Sequence, residues 1–316
     1  MLTFVLRRGF GLLVSTFLVI TITFLLMQMI PGDPAAVMLG ANATPEQIEL
    51  LRESWGLNEP IYVQFAHYLA NFLRGNFGES LFHHKPVLGI IAQRAEVSIW
   101  LSAAALLVVV GLGIPSGVLA AIRPNGLTDN TMLLVALGGA SIPSFWLGLM
   151  LMTLFAGRLG WLPSSGFTSI LETGDLANLK NLILPAFSLG FVNAALVART
   201  TRSSMLDVLQ SDYITTARAK GLRGWTVIMK HAFRNASIPI VTVISFTFAS
   251  LVSGAVVTEN VFALPGIGSL IVQSVLKRDY PVIQGIMFIV AILYVVINFV
   301  TDLSYASLDP RIRYRR

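Results

Sequence analysis

Residues 212–239 read DYITTARAKGLRGWTVIMKHAFRNASIP, a polar, basic run held between apolar stretches long enough to cross a bilayer. Ser211 to Lys220 is helix-compatible, Gly221 interrupts it, and the Gly221-Leu222-Arg223-Gly224 turn leads into a second helical stretch, Trp225 to Asn235. Pro239 is expected to open the next span. Two short helices joined by a glycine turn would then project from a membrane. Basic residues alone would be ordinary flanking bias. Trp225, Val227, Ile228 and Met229 are not, because apolar side chains in the aqueous phase imply a socket or an interface.

The composition around this segment fits a bilayer. Hydrophobic residues fill 55% of 316 positions and charged residues 12%, about half the usual share for a soluble domain. The net charge of +6 is better explained by lipid and topology than by nucleic acid, since no basic cluster is interleaved with stacking aromatics on a soluble domain. With no cysteine there is no disulfide, thiolate metal site or thiol nucleophile.

Six stretches meet or approach the length of about 20 residues that a spanning helix needs: 10–30, 97–121, 132–156, 182–198, 238–257 and 282–303. The fourth is short and contains Pro185, which leaves room for its helix to continue through Arg199. Six spans put both termini on one side. If that side is the cytoplasm, fourteen Lys and Arg fall inside against eight outside, so the positive-inside rule places both ends in the cytoplasm of a multi-pass protein. Arg7-Arg8 resembles the flank of a signal peptide, but the apolar run that follows is too long for an h-region and leads into PGDPA. It reads as an uncleaved anchor.

Residues 1–96 therefore form an anchor helix plus an extracytoplasmic region, and 97–316 a five-helix core carrying the polar loop at 199–238. In the outer region Thr44, Pro45 and Gln47 read as N-cap, first-turn proline and capping-box partner, with Gly56 as the stop. The aromatic stretch 62–72 is expected to pack on that helix or to lie at the membrane surface. His67, His83 and His84 read as surface or packing residues, because no carboxylate stands at ligand spacing around the adjacent pair.

Several functions lack their apparatus. The spans hold almost no ionisable residue, and Glu259 and Asp302 are placed at span ends within reach of water and headgroups, which disfavours an ion-coupled carrier. No HExxH pair or GxSxG elbow is present for intramembrane catalysis. No GxxxxGK[ST] loop is present to cradle ATP phosphates, so uphill movement of a solute would draw its energy from a partner. A rigid protrusion such as 212–239 is what such coupling requires.

TARAKGL followed by HAFRNASIP resembles the cytoplasmic EAA-type loop of permease subunits of binding-protein-dependent ABC importers, in their peptide and nickel branch. The resemblance extends over nearly the whole chain: PGDPA at 31–35, WGLNEPIYVQF at 55–65, GNFGES at 75–80, SIPSFWLG at 141–148, ENVFALPGIG at 259–268, RDYP at 278–281 and LDPRIR at 308–313. It implies an all-α integral membrane fold, the type I importer transmembrane domain, with a coupling helix that docks on an ATPase. Ala217 and Gly221 match the loop's alanine and glycine, while Thr215 stands where the general pattern has an acidic residue. The resemblance assigns ATPase docking to Thr216, Ala217, Arg218, Ala219, Lys220, Gly221 and Leu222. A glycine at 221 also permits positive φ and close approach of another backbone.

In ENVFALPGIG, Pro265, Gly266 and Gly268 impose a bend that either connects two helices or forms a re-entrant piece facing the pore or a binding protein, with Glu259 as the residue to test. The resemblance further implies an inner-membrane location in a bacterium and transport rather than enzyme activity. Its implied partners are a second related permease, two cytoplasmic ATP-binding subunits that carry ATP and Mg, an extracytoplasmic solute-binding protein and membrane lipid, with no nucleic acid. The chain itself is expected to hold no cofactor or metal. Peptide is the expected cargo, with nickel chelates or glutathione as alternatives and an ATP-independent carrier as a distant one.

Overall fold

The computed structural model describes residues 2–29, 32–40 and 43–308. Pro31 of PGDPA, the part of LDPRIR after residue 308 and the arginines counted at 311, 313, 315 and 316 lie outside the described residues, as do the side chains of Arg7, Arg8 and Asp302. In chain order the helices are α1 (Leu2–Met29), α2 (Pro34–Leu39), α3 (Pro45–Ser54), α4 (Ile61–Leu73), α5 (Val87–Ile122), α6 (Leu127–Ser141) and α7 (Ser144–Leu151). After these come α8 (Ile170–Thr173), α9 (Ile183–Leu209), α10 (Asp212–Ala219), α11 (Gly224–Thr226), α12 (Arg234–Val261), α13 (Ile267–Lys277) and α14 (Tyr280–Leu308). Wider π turns occupy Met152–Arg158 and Val227–Phe233. Among the described residues the sole β pairing is an isolated bridge, Glu79 to Pro86.

The fold is all-α, as the sequence requires. Among the described residues four helical stretches are long and apolar enough to cross a membrane, Val87–Ile122, Leu176–Leu209, Gly224–Val261 and Tyr280–Thr301, and the pair α6–α7, bent by 98°, makes a fifth when counted as one broken span. In α1 the qualifying apolar stretch is the shorter Val14–Leu26. The predicted run 132–156 is broken at Ile142-Pro143, where Ile142 is extended at φ −92, ψ 124 as the residue before a proline prefers. Pro239 does not open a span: it lies inside α12, whose helix is continuous with the π turn and α11. Pro185 falls in the first turn of α9, where its missing N–H costs nothing.

The chain forms two compact units. The first comprises residues 1–95 and 270–296. Its α3 begins with the capping box the sequence requires: Gln47 N donates to Thr44 Oγ1 at 3.3 Å and Thr44 N to Gln47 Oε1 at 3.0 Å. The aromatic stretch of α4 packs on α1, with Phe65 edge-on to Phe17 and Phe24 and Tyr68 against Phe24. The ring series continues through Phe72 and Phe77 to Phe288 of α14.

The second unit comprises residues 96–269 and 297–316, and here α9 packs against α6, α7 and α12. Its core joins Val97, Leu101, Ala105 and Val109, a four-residue stripe on α5, to Leu189 and Val197 of α9 and Leu251 and Ala255 of α12. Lipid is as apolar as leucine, so close packing rather than expulsion from water must hold these helices together. Small residues permit it. A Cβ at Gly113 or Gly117 would collide with α9 at Val197 or Thr201, and one at Gly190 would collide with the Ala105 carbonyl of α5.

Candidate functional site

The polar segment folds as two elements on one seat. Asp212 opens α10 and Gly221 closes it at φ +73: Gly221 N donates to the Arg218 carbonyl at 3.0 Å and Leu222 N to the Ala217 carbonyl at 3.4 Å. That pair of bonds is the Schellman arrangement, which needs a left-handed residue just past the helix and so favours glycine. Ile214 and Ala217, three residues apart, turn inward. They pack in a cluster with Val118 and Ala121 of α5, Met205 of α9, and Val227, Ala232, Ala236 and Ile240.

Thr216, Arg218, Ala219, Lys220, Gly221 and Leu222 are exposed, as is Thr215. Ala217, expected among the docking residues, instead faces the chain's own core, because helical spacing puts it under Ile214. The interface expected of Trp225, Val227, Ile228 and Met229 divides the same way. Val227 is buried and Ile228 half-buried, while Trp225 is 66% exposed and stands near Leu222, 41% exposed, in the sequence. Among the described residues, none other than its chain neighbours comes within 4 Å of a Cβ built at Gly221, so its backbone is open to approach. Tyr213 fixes α10 to the π turn: Asn235 Nδ2 donates to Tyr213 Oη at 2.8 Å and to the His231 carbonyl at 3.0 Å.

Glu259 is not washed by water or headgroups; its exposure is 0%. Ser98 Oγ of α5 donates to its Oε1 at 2.6 Å, and Ser269 N in the first turn of α13 donates to its Oε2 at 2.9 Å. Ser98 Oγ in turn accepts from Ile267 N at 2.8 Å. A carboxylate therefore sits on the free amides at the start of α13, where the helix dipole also favours it. Gly266 and Gly268 let this happen. A Cβ at Gly266 would stand on the Glu259 carboxyl, and one at Gly268 on the Val256 backbone. Pro265 sits within the turn that α12 makes into α13, whose 11 residues span about 16 Å and are too short to cross.

Three further carboxylates are buried, Asp129, Glu96 and Asp279, the last within RDYP. Asp129, 1% exposed, receives Arg202 through both oxygens, Nε to Oδ1 at 2.5 Å and Nη2 to Oδ2 at 2.6 Å, and Asn125 N at 2.9 Å. Glu96 accepts from Ser169 Oγ and from the amides of Ile170 and Leu171. Asp279 of RDYP accepts from Ser80 Oγ and Leu81 N, so that motif meets GNFGES within the first unit. SIPSFWLG and ENVFALPGIG also meet, since Gly148 lies under the Phe262 ring. In so uncharged a chain, a carboxylate beside an apolar run was itself the signal.

Residues 113–314 match the family described as binding-protein-dependent transport system inner membrane component, and residues 1–104 match the N-terminal membrane component of such systems. The chain belongs to this family, the permease subunits of binding-protein-dependent ABC importers. It is 44% identical over 315 residues to the probable peptide ABC transporter permease protein y4tP of Sinorhizobium fredii, covering 98% of this chain and 99% of that one. It is 41% identical over 315 residues to the glutathione transport system permease protein GsiC of Escherichia coli K12, with 100% of both chains covered. A solved structure of the MetNI methionine ABC transporter in an inward-facing conformation matches with TM-score 0.59 at 18% identity, covering 71% of this chain and 99% of its counterpart. That likeness concerns the fold.

Proposed function

We propose that this permease forms half of a translocation path for short peptides in a bacterial inner membrane, with both termini in the cytoplasm. A second, related permease supplies the other half. Two cytoplasmic subunits bind ATP and Mg and dock on the exposed face of α10 and its glycine turn, while an extracytoplasmic binding protein delivers the solute. This chain carries no catalytic step. Closure of the ATPases displaces α10, and the spans respond by opening to the opposite side. The outer turn, Glu259 with Pro265, Gly266 and Gly268, holds the far end of α12 in register during that change.

The observation that carries this reading is a helix seated on the core through Ile214 and Ala217 while Lys220, Gly221, Leu222 and Trp225 stay uncovered. Peptide cargo is supported by the names of the two relatives, one a peptide permease and one a permease for glutathione, itself a tripeptide.

Because Leu222 and Trp225 are exposed, replacing both with alanine should leave the permease folded. The double variant is expected to reduce co-purified ATPase about tenfold, since exposed aromatic anchors dominate such interfaces. Unchanged association together with unchanged solute-stimulated hydrolysis would refute the docking assignment. Uptake of labelled dipeptide, glutathione and a nickel chelate by the complete transporter tests the cargo.

A further inference from the structure

The cluster that seats α10 draws on the end of α5, the end of α9, the π turn and the start of α12, and among the described residues none of it comes from α6. Movement of α10 therefore reaches α6 by another route. Beside the contact of α6 with α9, a half-open apolar pocket of about 250 Å³ is bounded by Gly117 and Ala120 of α5, Met132 and Ala136 of α6, and Leu196 and Arg199 of α9. At the edge of that pocket Arg202 closes on Asp129, the first-turn acid of α6. Both Asp129 oxygens are engaged by the guanidinium, and Oδ2 also accepts from Asn125 N, whose φ of +61 is the left-handed conformation that asparagine tolerates better than most residues.

We infer that the Asp129–Arg202 pair is a positioning element for transport: it locks α6 and the α5–α6 turn to α9, so that displacement of α10 moves all of them together. Arg202 stands one turn from Met205, a residue of the α10 seat, and nine positions before the Ser211 cap, about 14 Å along a helix. A bidentate ion pair with its carboxylate buried and its guanidinium partly exposed suits this task because it fixes both distance and orientation. Against a neutral pair of the same shape its net value for stability is small, because the attraction roughly offsets desolvation, whereas removing Arg202 alone would leave the buried Asp129 carboxylate unpaired.

This inference rests on the proposed docking of an ATPase at α10, and the test separates the two. The complete transporter, with its second permease, ATPases and binding protein, is reconstituted in lipid vesicles carrying Asp129→Asn, Arg202→Gln or both. Labelled dipeptide is the probe. Transport and ATP hydrolysis are measured on the assembled fraction and expressed as solute moved per ATP.

Each single variant is expected to lower that ratio about tenfold while ATPase association and hydrolysis stay within about twofold of wild type. The double variant, a neutral amide pair, is expected to recover the ratio to within about threefold. A ratio unchanged in the singles, or lost equally in the double, overturns the positioning role. A lower melting temperature with an unchanged ratio overturns it too, by reducing the pair to a structural one. Failure of the docking reading would register elsewhere, as ATPase association that survives the Leu222 and Trp225 replacements.

Discussion

Leucine at Gly117 is expected to abolish folding of the second unit, with no monodisperse protein recovered from membranes. Even the Cβ of alanine would lie 2.5 Å from the Ala198 carbonyl oxygen and 2.6 Å from Thr201 Cβ. One of those atoms is backbone of α9, and the other belongs to a β-branched side chain with little freedom. Overpacking of this kind costs about 1–3 kcal/mol for a methyl group and more for a larger side chain. The only relief is to push α5 and α9 apart, which forfeits dispersion along Val97, Leu101, Ala105 and Val109 together.

Gly111 is the internal control. It lies on the same helix with nothing within 4 Å of a built Cβ, so Gly111→Leu should be tolerated. Size-exclusion profiles and thermal unfolding of the two variants in detergent decide the matter. A Gly117→Leu protein that elutes and melts like Gly111→Leu would show that α5 and α9 do not cross as closely as described.

The contrast between these glycines marks what a single sequence conceals. Both sit in an apolar run that reads as a span by length alone, and helical pattern gives no hint which one faces another helix, because in lipid the outer face is apolar as well. The prolines carry the same lesson. Pro143 lies in the middle of an expected span and breaks it, whereas Pro239, expected to begin one, is accommodated inside a helix. Ala236 and Ile240 flank Pro239 and are buried, so the helix is held on both sides of the missing donor, whereas Ile142 takes the extended conformation that a following proline favours.

Signals that do not depend on distant packing are legible in the sequence. The capping box at Thr44 and the glycine stop at Gly221 are set by local hydrogen bonding, which a short window contains in full. The inward face of α10 was also within reach, since Ile214 and Ala217 follow helical spacing. The partners of the buried carboxylates were not. Asp129 meets a residue 73 positions away and Glu259 one 161 positions away, separations that only the fold closes.

Glu259 makes the sharpest test of how such a group should be interpreted. Glu259→Ala removes the acceptor for Ser98 Oγ and Ser269 N in a site with no exposure, leaving two donors unsatisfied and a void beside Gly266. An unsatisfied buried donor costs about 1–3 kcal/mol, so the expected loss is roughly 3–5 kcal/mol, visible as a large fall in melting temperature and in the yield of assembled transporter. Glu259→Gln preserves the shape and one acceptor and should lose much less.

Ser98→Ala alone should fall between the two. The effects of Ser98→Ala and Glu259→Ala should combine to less than their sum, because both remove the same hydrogen bond. A carboxylate that instead met the solute in the pathway would behave in the opposite manner: its loss would raise KM and leave the melting temperature where it was. The geometry argues for the first outcome, since Oε1 and Oε2 are each already held by the protein itself and the residue has no surface to offer a ligand. An apparent KM for dipeptide unchanged in Glu259→Gln, alongside the collapse of Glu259→Ala, is the combination that distinguishes a fastening from a gate.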